Sequence, residues 1–167
     1  MAAFPQPTTN AEAVDLINRF VQGYAAAMPP TNFDQPFNRA CRCVAATLES
    51  PISPATATFH LTIPPTYLNS PDPASPTIHG GAMAQWFDAT TSMPLLCVRK
   101  VWAETWSGVT RSLSVTYLRP PKEGEEIVIE AEVIQCARRM ATVRGVMKRR
   151  SDGAVLATCQ HDKARPE

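Results

Sequence analysis

Apolar and polar residues alternate through the second half of the chain with the period of two that a half-buried β-strand requires. Four stretches have this pattern and are predicted as strands, over about 107–118, 127–137, 138–150 and 154–164. The inward-facing residues of the second stretch are predicted to be Ile127, Ile129, Ala131 and Val133. In the first stretch, one face is predicted to carry Val109, Leu113, Val115 and Tyr117. Because short turn segments separate the four strands, we expect an antiparallel meander.

The first half of the chain contains one clear helical pattern. Apolar residues recur at helical spacing from Val14 to Val21 and predict a helix over about 11–27, with Thr9 or Asn10 as its N-cap. The other predictions for this half are a loop over 29–39, strands over about 40–49 and 55–63, and a proline-rich loop over 64–77.

The long apolar stretch over residues 79–99 is predicted as a buried helix. Asp88 is the only formally charged residue between Gly80 and Val98. Pro94 removes a backbone donor, so the regular helix is predicted to kink or end there. A membrane span is not predicted, because polar residues interrupt the stretch. The order of helix, two strands, helix and four strands predicts an α+β fold, in which the long helix packs against one face of a curled antiparallel sheet.

The composition argues against several classes of function. The chain has 16 basic and 15 acidic residues and a formal net charge of +1, so we expect neither a nucleic-acid nor a membrane partner. Its five cysteines are an odd number and include no CxxC pair, which favours buried thiols in a reducing compartment and no metal site. The N-terminal residues predict neither a signal peptide nor a mitochondrial presequence, so we expect a cytoplasmic location, with the mitochondrion left open.

His79, Gly80, Gly81 and Asp88 are the residues that predict chemistry. The two glycines leave the N–H groups at the helix start bare, and such groups attract a carbonyl oxygen or an anion. His79 and Asp88 are separated by about 13 Å along the helix axis and about half a turn around it, so one chain cannot bring both to the same atom. Two copies with antiparallel helices would bring Asp88 of one copy to Gly80 of the other, as an acyl-transfer site requires. The alternatives are a solvated Asp88 and a capping or structural His79.

Two segments, IHGGAMAQWFDATTSMPLLC and SGVTRSLSVTYLRPPKEGEEIVIEAEVI, resemble the hotdog-fold acyl-CoA thioesterases. The resemblance covers about residues 40–163 and is strongest to the PaaI-like and thioesterase superfamily member 2-like branch of the 4-hydroxybenzoyl-CoA thioesterase superfamily. It implies a hotdog fold, in which a curled antiparallel sheet wraps a long central helix. It also implies that residues 40–167 are a hotdog thioesterase domain and that residues 1–39 are an N-terminal extension with one helix.

The same resemblance implies an activity and an assembly. The chain would hydrolyse acyl-CoA thioesters to free acid and CoA, with no cofactor apart from the CoA of the substrate. Homodimers would share a continuous sheet and form the active site between subunits, and pairs of dimers would form tetramers.

Roles for individual residues also follow from the resemblance. The Gly80 N–H would polarise the thioester carbonyl, and Asp88 of the partner subunit would activate a water or attack directly. His79 would orient the thioester, and Thr110 would help to place the water. Asn69 is the nearest match to the asparagine that positions the carbonyl or the nucleophile, although the loop after it is longer than usual.

Further residues are predicted to contact the substrate. Asp72 is the other candidate for the role of the asparagine. The acyl group is predicted to pass Gly81, Met83, Trp86 and Phe87. Basic residues late in the chain fit the phosphates of CoA, or else form a solvated hairpin face; they are Arg138, Arg139, Lys148, Arg149, Arg150 and Lys163, with the first two favoured as ligands.

Three other classes of protein were weighed against the thioesterase. An α/β-hydrolase would explain the HGG segment, but the chain has no GxSxG nucleophile motif. A hotdog enzyme of another reaction class, such as a dehydratase or cyclase acting on a biosynthetic or carrier-bound intermediate, would explain the unusual loop after Asn69. A non-catalytic acyl-CoA binder would share the fold, but would have no need of His79, Gly80, Asp88 and Thr110 together.

Overall fold

The computed structural model describes residues 6–69, 77–98, 102, 105 and 107–165. The helices and strands that lie within these ranges follow one another as α1 (Asn10–Ala27), α2 (Gln35–Ala40), β1 (Arg42–Thr47), β2 (Thr56–Thr62), α3 (Gly80–Ser92), β3 (Val109–Tyr117), β4 (Glu126–Cys136), β5 (Met140–Arg149) and β6 (Val155–Ala164). Short 3₁₀ turns occupy Pro65–Tyr67 and Met93–Cys97. The predicted α+β class is confirmed.

The six strands form one antiparallel sheet in the order β1-β2-β4-β5-β6-β3. Strands β4, β5 and β6 follow one another as predicted. The predicted four-strand meander is nevertheless wrong, because β3 pairs with β6 and β2 occupies the position beside β4. The edges of the sheet are therefore β1 and β3.

Helix α3 packs on the inner face of this sheet. The residues of β4 that were predicted to face inward are all buried, namely Ile127, Ile129, Ala131 and Val133. Gly145 of β5 provides the space for the helix, because a Cβ atom there would lie 2.8 Å from the Phe87 ring and 2.7 Å from the Cys159 sulfur. On the other side of α3, the ring of Trp86 is fully buried and stacks on Phe37 at a centroid distance of 6.0 Å.

Helix α1 covers the β1 edge of the sheet. The side-chain amide of Asn18 donates to the Cys43 carbonyl at 2.9 Å and accepts from the Cys43 N–H at 3.0 Å. Asn10 accepts a further hydrogen bond from the Leu48 N–H. These side chains satisfy backbone groups that would otherwise be open to another strand. Leu16 and other buried residues of α1 belong to the same hydrophobic core as the sheet, and the predicted division near residue 40 stays a prediction.

The β3 edge differs, because no described segment pairs with its outer side. Strand β3 also contains a bulge at Arg111, where the pairing with β6 shifts by one residue. The prediction that Val109 shares a face with Leu113 is therefore wrong: the extra residue reverses the alternation, and Val109 is 54% exposed. The same shift turns Thr110 toward α3.

One short helix differs from the sequence-based expectation, whereas the end of the central helix agrees with it. The loop predicted over 29–39 is wrong from Gln35 onward, where the short helix α2 begins with a proline in its first turn, a favourable position for that residue. The central helix ends at Ser92, and a 3₁₀ turn containing Pro94 follows, as the proline predicted. All five cysteines are free, and four of them are buried, which agrees with their expected role as small core residues.

Candidate active site

The start of α3 is built by His79, Gly80 and Gly81. His79 is the N-cap, and its Nδ1 accepts a hydrogen bond from the Gly81 N–H at 2.9 Å. His79 thus caps the helix, as one interpretation predicted, and its role toward a thioester stays a prediction. Among the described residues none accepts a hydrogen bond from the Gly80 N–H, whereas the Gly80 carbonyl accepts one from the Tyr117 hydroxyl at 2.8 Å. Gly80 therefore offers the available donor at the positive end of the helix dipole.

Asp88 lies two turns further along α3 and has its own polar partners. Its side chain is 48% exposed, and its Oδ1 accepts a hydrogen bond from the Thr110 hydroxyl at 2.6 Å. The Nε2 atom of His161 lies 3.0 Å from the Thr110 oxygen and 3.4 Å from Asp88 Oδ1. The structure therefore brings Asp88 and Thr110 of one protomer together and adds His161 to them, while the predicted catalytic roles of Asp88 and Thr110 stay predictions.

His161 is fully buried, with the pKa of its imidazole lowered to about 4 by burial first and by the charge of Lys163 second. The negative charge of Asp88 opposes this shift without cancelling it. The imidazole is consequently neutral at pH 7, with one nitrogen donating and the other accepting.

A neutral His161 sets the direction of the hydrogen bonds. The Thr110 hydroxyl has one proton and donates it in the hydrogen bond to Asp88. The hydrogen bond between His161 and Thr110 must therefore have Nε2 of His161 as its donor. Nδ1 lies 2.7 Å from the Thr91 hydroxyl oxygen, and the Thr91 hydroxyl donates to the Phe87 carbonyl at 2.5 Å. Nε2 of His161 and the hydroxyl of Thr110 therefore both donate in the direction of Asp88, whose Oδ1 is the final acceptor.

Lys163 is a second buried ionisable residue beside this network. Its ammonium group donates to Ser92 Oγ at 2.6 Å, and Ser92 in turn donates to the Asp88 carbonyl oxygen. Burial lowers the pKa of Lys163, and the charge of Asp88 acts against that shift. The interpretation that Lys163 binds a CoA phosphate is wrong, because the residue is only 3% exposed.

Sequence reasoning missed His161, and it gave Lys163 a different role, as a ligand of the CoA phosphates. Their signal is the strand alternation itself, because Ala157 and Cys159 occupy the buried face of β6 and the next two positions on that face are His161 and Lys163. Two titratable residues in succession on the core face of a strand are rare enough to suggest function.

Asn69 lies closer to the site than its sequence separation indicates. Its N–H donates to the Thr77 carbonyl at 2.7 Å, and Leu68 pairs with Ile78 immediately before His79. The long loop therefore closes at its base and brings Asn69 beside the residues that lead into α3. Asn69 is exposed, and its predicted role stays a prediction. Asp72, the alternative, lies outside the described residues.

The predicted substrate contacts are distributed over several regions. Met83 and Phe87 face the core, with 2% and 0% exposure, and Trp86 is fully buried, so this protomer offers them no surface for an acyl group. The Gly81 N–H is already bonded to His79. These contacts stay predictions that the geometry of one protomer does not support.

The basic residues also separate into two groups. Arg138 and Arg139 are exposed in the β4–β5 turn. This turn lies at the same end of the sheet as Thr110, because Met140 and Val109 both pair with Ala164. The other exposed basic residues form ion pairs with nearby carboxylates: Lys148 with Glu130, Arg149 with Glu125 and Asp152, and Arg150 with Glu126. They form the solvated hairpin face that was the alternative interpretation.

Within the described ranges, no three His, Cys, Asp or Glu side chains converge in a way that could hold a metal ion. None of the helices in the same ranges is both long enough and apolar enough to cross a bilayer.

Solved structures identify the fold. Thioesterase superfamily member 2 of zebrafish superposes with a TM-score of 0.73 at 20% identity, covering 92% of this chain and 98% of that one. The PaaI protein of E. coli superposes with a TM-score of 0.60 at 14% identity, covering 93% of this chain and 95% of that one. The curled antiparallel sheet around a central helix is therefore the hotdog fold, as predicted.

Sequence comparisons then identify the family that this chain resembles. A model of the thioesterase superfamily matches residues 76–156. Acyl-coenzyme A thioesterase 13 of Mus musculus is 31% identical over 87 residues, which are 52% of this chain and 59% of that protein. The chain thus spans about three fifths of the length of the curated relatives it matches. For this part of the chain, the predicted resemblance to the thioesterase superfamily is confirmed.

Proposed function

We propose that the protein hydrolyses acyl-CoA thioesters to free acid and CoA. The observation that carries the proposal is the half-exposed Asp88 carboxylate, which accepts the Thr110 hydroxyl proton and has the neutral His161 beside it. A carboxylate held in this way is suited to take a proton from water or to attack a carbonyl carbon. The names of the curated relatives, which specify acyl-coenzyme A, support CoA as the carrier.

The proposal requires two copies of the chain. Gly80 and Asp88 are separated by about 12 Å along α3, so the oxyanion donor and the carboxylate of one protomer serve different sites. The open edge of β3 is the surface on which we expect the second copy to pair, since α1 blocks the β1 edge. Antiparallel pairing of two β3 strands about Leu113 would bring Thr110 of one strand near Tyr117 of the other, and Tyr117 is bonded to Gly80. Dimers of dimers and a cytoplasmic location remain predictions.

In the proposed reaction, the Gly80 N–H polarises the thioester carbonyl, and the carboxylate comes from Asp88 of the partner subunit. As a general base, Asp88 takes one proton from water while the hydroxide adds to the carbonyl carbon. The oxyanion then collapses, the C–S bond breaks, and the CoA sulfur leaves and is protonated. As a nucleophile, Asp88 attacks the carbonyl carbon and forms an acyl anhydride, the C–S bond breaks, and CoA leaves; water then hydrolyses the anhydride. Single-turnover hydrolysis in ¹⁸O-labelled water tests the nucleophilic route, because attack of water on the Asp88 carbon of the anhydride leaves an Asp88 oxygen in the acid and the label in Asp88, whereas the general-base route places the label in the acid.

The proposal is tested with Asp88→Asn, which preserves shape and hydrogen bonding but removes the base. A thiol-reactive dye follows CoA release from short, medium, long and aromatic acyl-CoAs. We expect turnover to fall by at least about 10²–10⁴-fold. Asp152→Asn, a change in the exposed turn between β5 and β6, is the control and should leave turnover unchanged. Near wild-type turnover of Asp88→Asn would refute the mechanism, and no CoA release by the wild type would favour a dehydratase, a cyclase or a non-catalytic binder.

A further inference from the structure

A cavity of about 230 Å³ lies beside Asp88 inside a single protomer. Its apolar wall comes from the N-terminal helices and the sheet, and includes Val21, Phe37 and Phe59. Its other wall is the face of α3 that carries Gln85 and Asp88. The two α3 residues are three positions apart, so their side chains lie on the same side of the helix. An acyl group whose carbonyl carbon reaches Asp88 therefore has this partly open cavity beside it.

The cavity wall contains one buried polar acceptor for which the described residues supply no donor. Gln85 Oε1 is buried, and within the described part of the chain nothing donates a hydrogen bond to it. Buried polar atoms in folded proteins are almost always paired, so an unpaired acceptor in a cavity wall indicates a donor supplied by a bound molecule. The Asp34 carboxyl faces the same cavity, and its pKa is raised by burial first and by the negative charge of Asp88 second.

The volume of the cavity limits what can enter it. An enclosed apolar cavity of about 150 Å³ accepts benzene, so a cavity half as large again accommodates about nine non-hydrogen atoms. A saturated chain of sixteen carbons exceeds this space, whereas an aromatic ring on a short linker fits. A purely apolar group would leave Gln85 Oε1 unpaired.

We propose, on the basis of the hydrolysis proposed above, that this cavity holds the acyl group of the substrate. The acyl group is compact, with no more than about nine non-hydrogen atoms beyond the carbonyl. It carries a hydroxyl or amino group that donates to Gln85 Oε1, with the Asp34 carboxyl as a second acceptor. The substrates are thus short or aromatic acyl-CoAs with a polar end, and the N-terminal helices exclude long saturated chains.

The test compares three acyl-CoAs by dye-detected CoA release. They are 3-(4-hydroxyphenyl)propanoyl-CoA, its matched partner 3-phenylpropanoyl-CoA, and hexadecanoyl-CoA. We expect kcat/KM to be highest for the hydroxylated compound, by about tenfold or more over its matched partner, and lowest for hexadecanoyl-CoA. In Gln85→Leu, which removes the acceptor at similar size, the ratio between the two aromatic substrates should fall by about the same factor. Gln135→Leu, on the exposed part of β4 and outside the cavity, is the matched control and should retain the wild-type ratio.

The outcomes separate the cavity proposal from the proposed reaction. If hexadecanoyl-CoA is the best substrate, or if Gln85→Leu changes both aromatic substrates equally, the cavity does not select the acyl group, while thioester hydrolysis still stands. If Gln85 holds only a water molecule, the two aromatic substrates will not differ, which also overturns the cavity proposal. If none of the three compounds nor any acyl-CoA of the wider panel releases CoA, the proposed reaction itself is refuted.

Discussion

The buried imidazole of His161 predicts a specific dependence of stability on pH. The pKa of His161 is about 4 in the folded protein, against an ordinary value of 6.5. Burial and the charge of Lys163 favour the neutral form, whereas Asp88 and Asp162 favour the protonated form. Because the folded-state pKa is the lower one, the unfolded chain binds the proton more tightly. The stability is therefore complete above pH 6.5 and falls as the pH decreases toward 4.

The size of the effect follows from the two pKa values. Lowering the pH from above 6.5 to below 4 would reduce the free energy of unfolding by about 3 kcal/mol, at 1.36 kcal/mol per unit of difference between the two pKa values. Between pH 7 and pH 5 the unfolded histidine becomes almost fully protonated while His161 in the folded protein stays mostly neutral. This interval alone accounts for about 2 kcal/mol. For a chain of this length, that loss lowers the melting temperature by about 4–8 °C.

Urea unfolding at pH 7 and pH 5 measures this loss, and His161→Gln isolates it. Glutamine does not titrate, and its amide can donate to Thr110. The carboxylates that titrate below pH 5 are the same in both proteins, so they cancel in the comparison. We expect the wild type to lose about 2 kcal/mol more than the variant between the two pH values. Equal losses would refute the claim that the imidazole is neutral and would also remove the basis for the direction of the hydrogen bonds.

Three further predictions concern neighbouring residues. Thr91→Val removes the hydroxyl that contacts Nδ1 of His161, so kcat for CoA release should fall by about tenfold with little change in KM; an unchanged kcat would show that Thr91 does not orient the imidazole. Lys163→Met replaces a buried cation with an apolar side chain of similar length, so the urea midpoint should be unchanged or higher; a loss above about 3 kcal/mol would contradict this. Gly145→Ala places a methyl group against the Phe87 ring, so the free energy of unfolding should fall by about 1–3 kcal/mol, and unchanged stability would contradict the close packing of helix on sheet.

The order and type of the regular elements were largely predictable from the sequence. Period-two alternation located β4, β5 and β6 to within a few residues, because the inner faces of β4 and β5 are continuously apolar and that of β6 is apolar as far as Cys159. The two glycines at the start of α3 and the proline just after its end also located the two ends of the central helix. The short helix α2 escaped prediction because six residues contain too few turns for a periodic pattern, although Pro36 is a typical first-turn residue.

The position of β3 in the sheet was not predictable from the alternation. Which strand β3 pairs with depends on the connections around α3, and the alternation contains no information on that. The bulge at Arg111 is also invisible in the pattern, since Val109 and Leu113 read as one face until the extra residue is known. The partners of Asp88 depend on both facts, because they bring Thr110 and His161 to the same carboxylate.

The open edge and the candidate site are parts of the same strand, which connects assembly with chemistry. The bulge that turns Thr110 toward Asp88 lies near one end of β3, and Tyr117, bonded to the Gly80 carbonyl, lies at the other. An antiparallel pair of β3 strands brings unlike ends together. Under the proposed function, such a pair would join a carboxylate from one copy with an oxyanion donor from the other, and would do so twice because the pair would be two-fold symmetric. The isolated Asp88 in an apolar helix is therefore accounted for within the protomer by Thr110, and under the proposed function by the second copy.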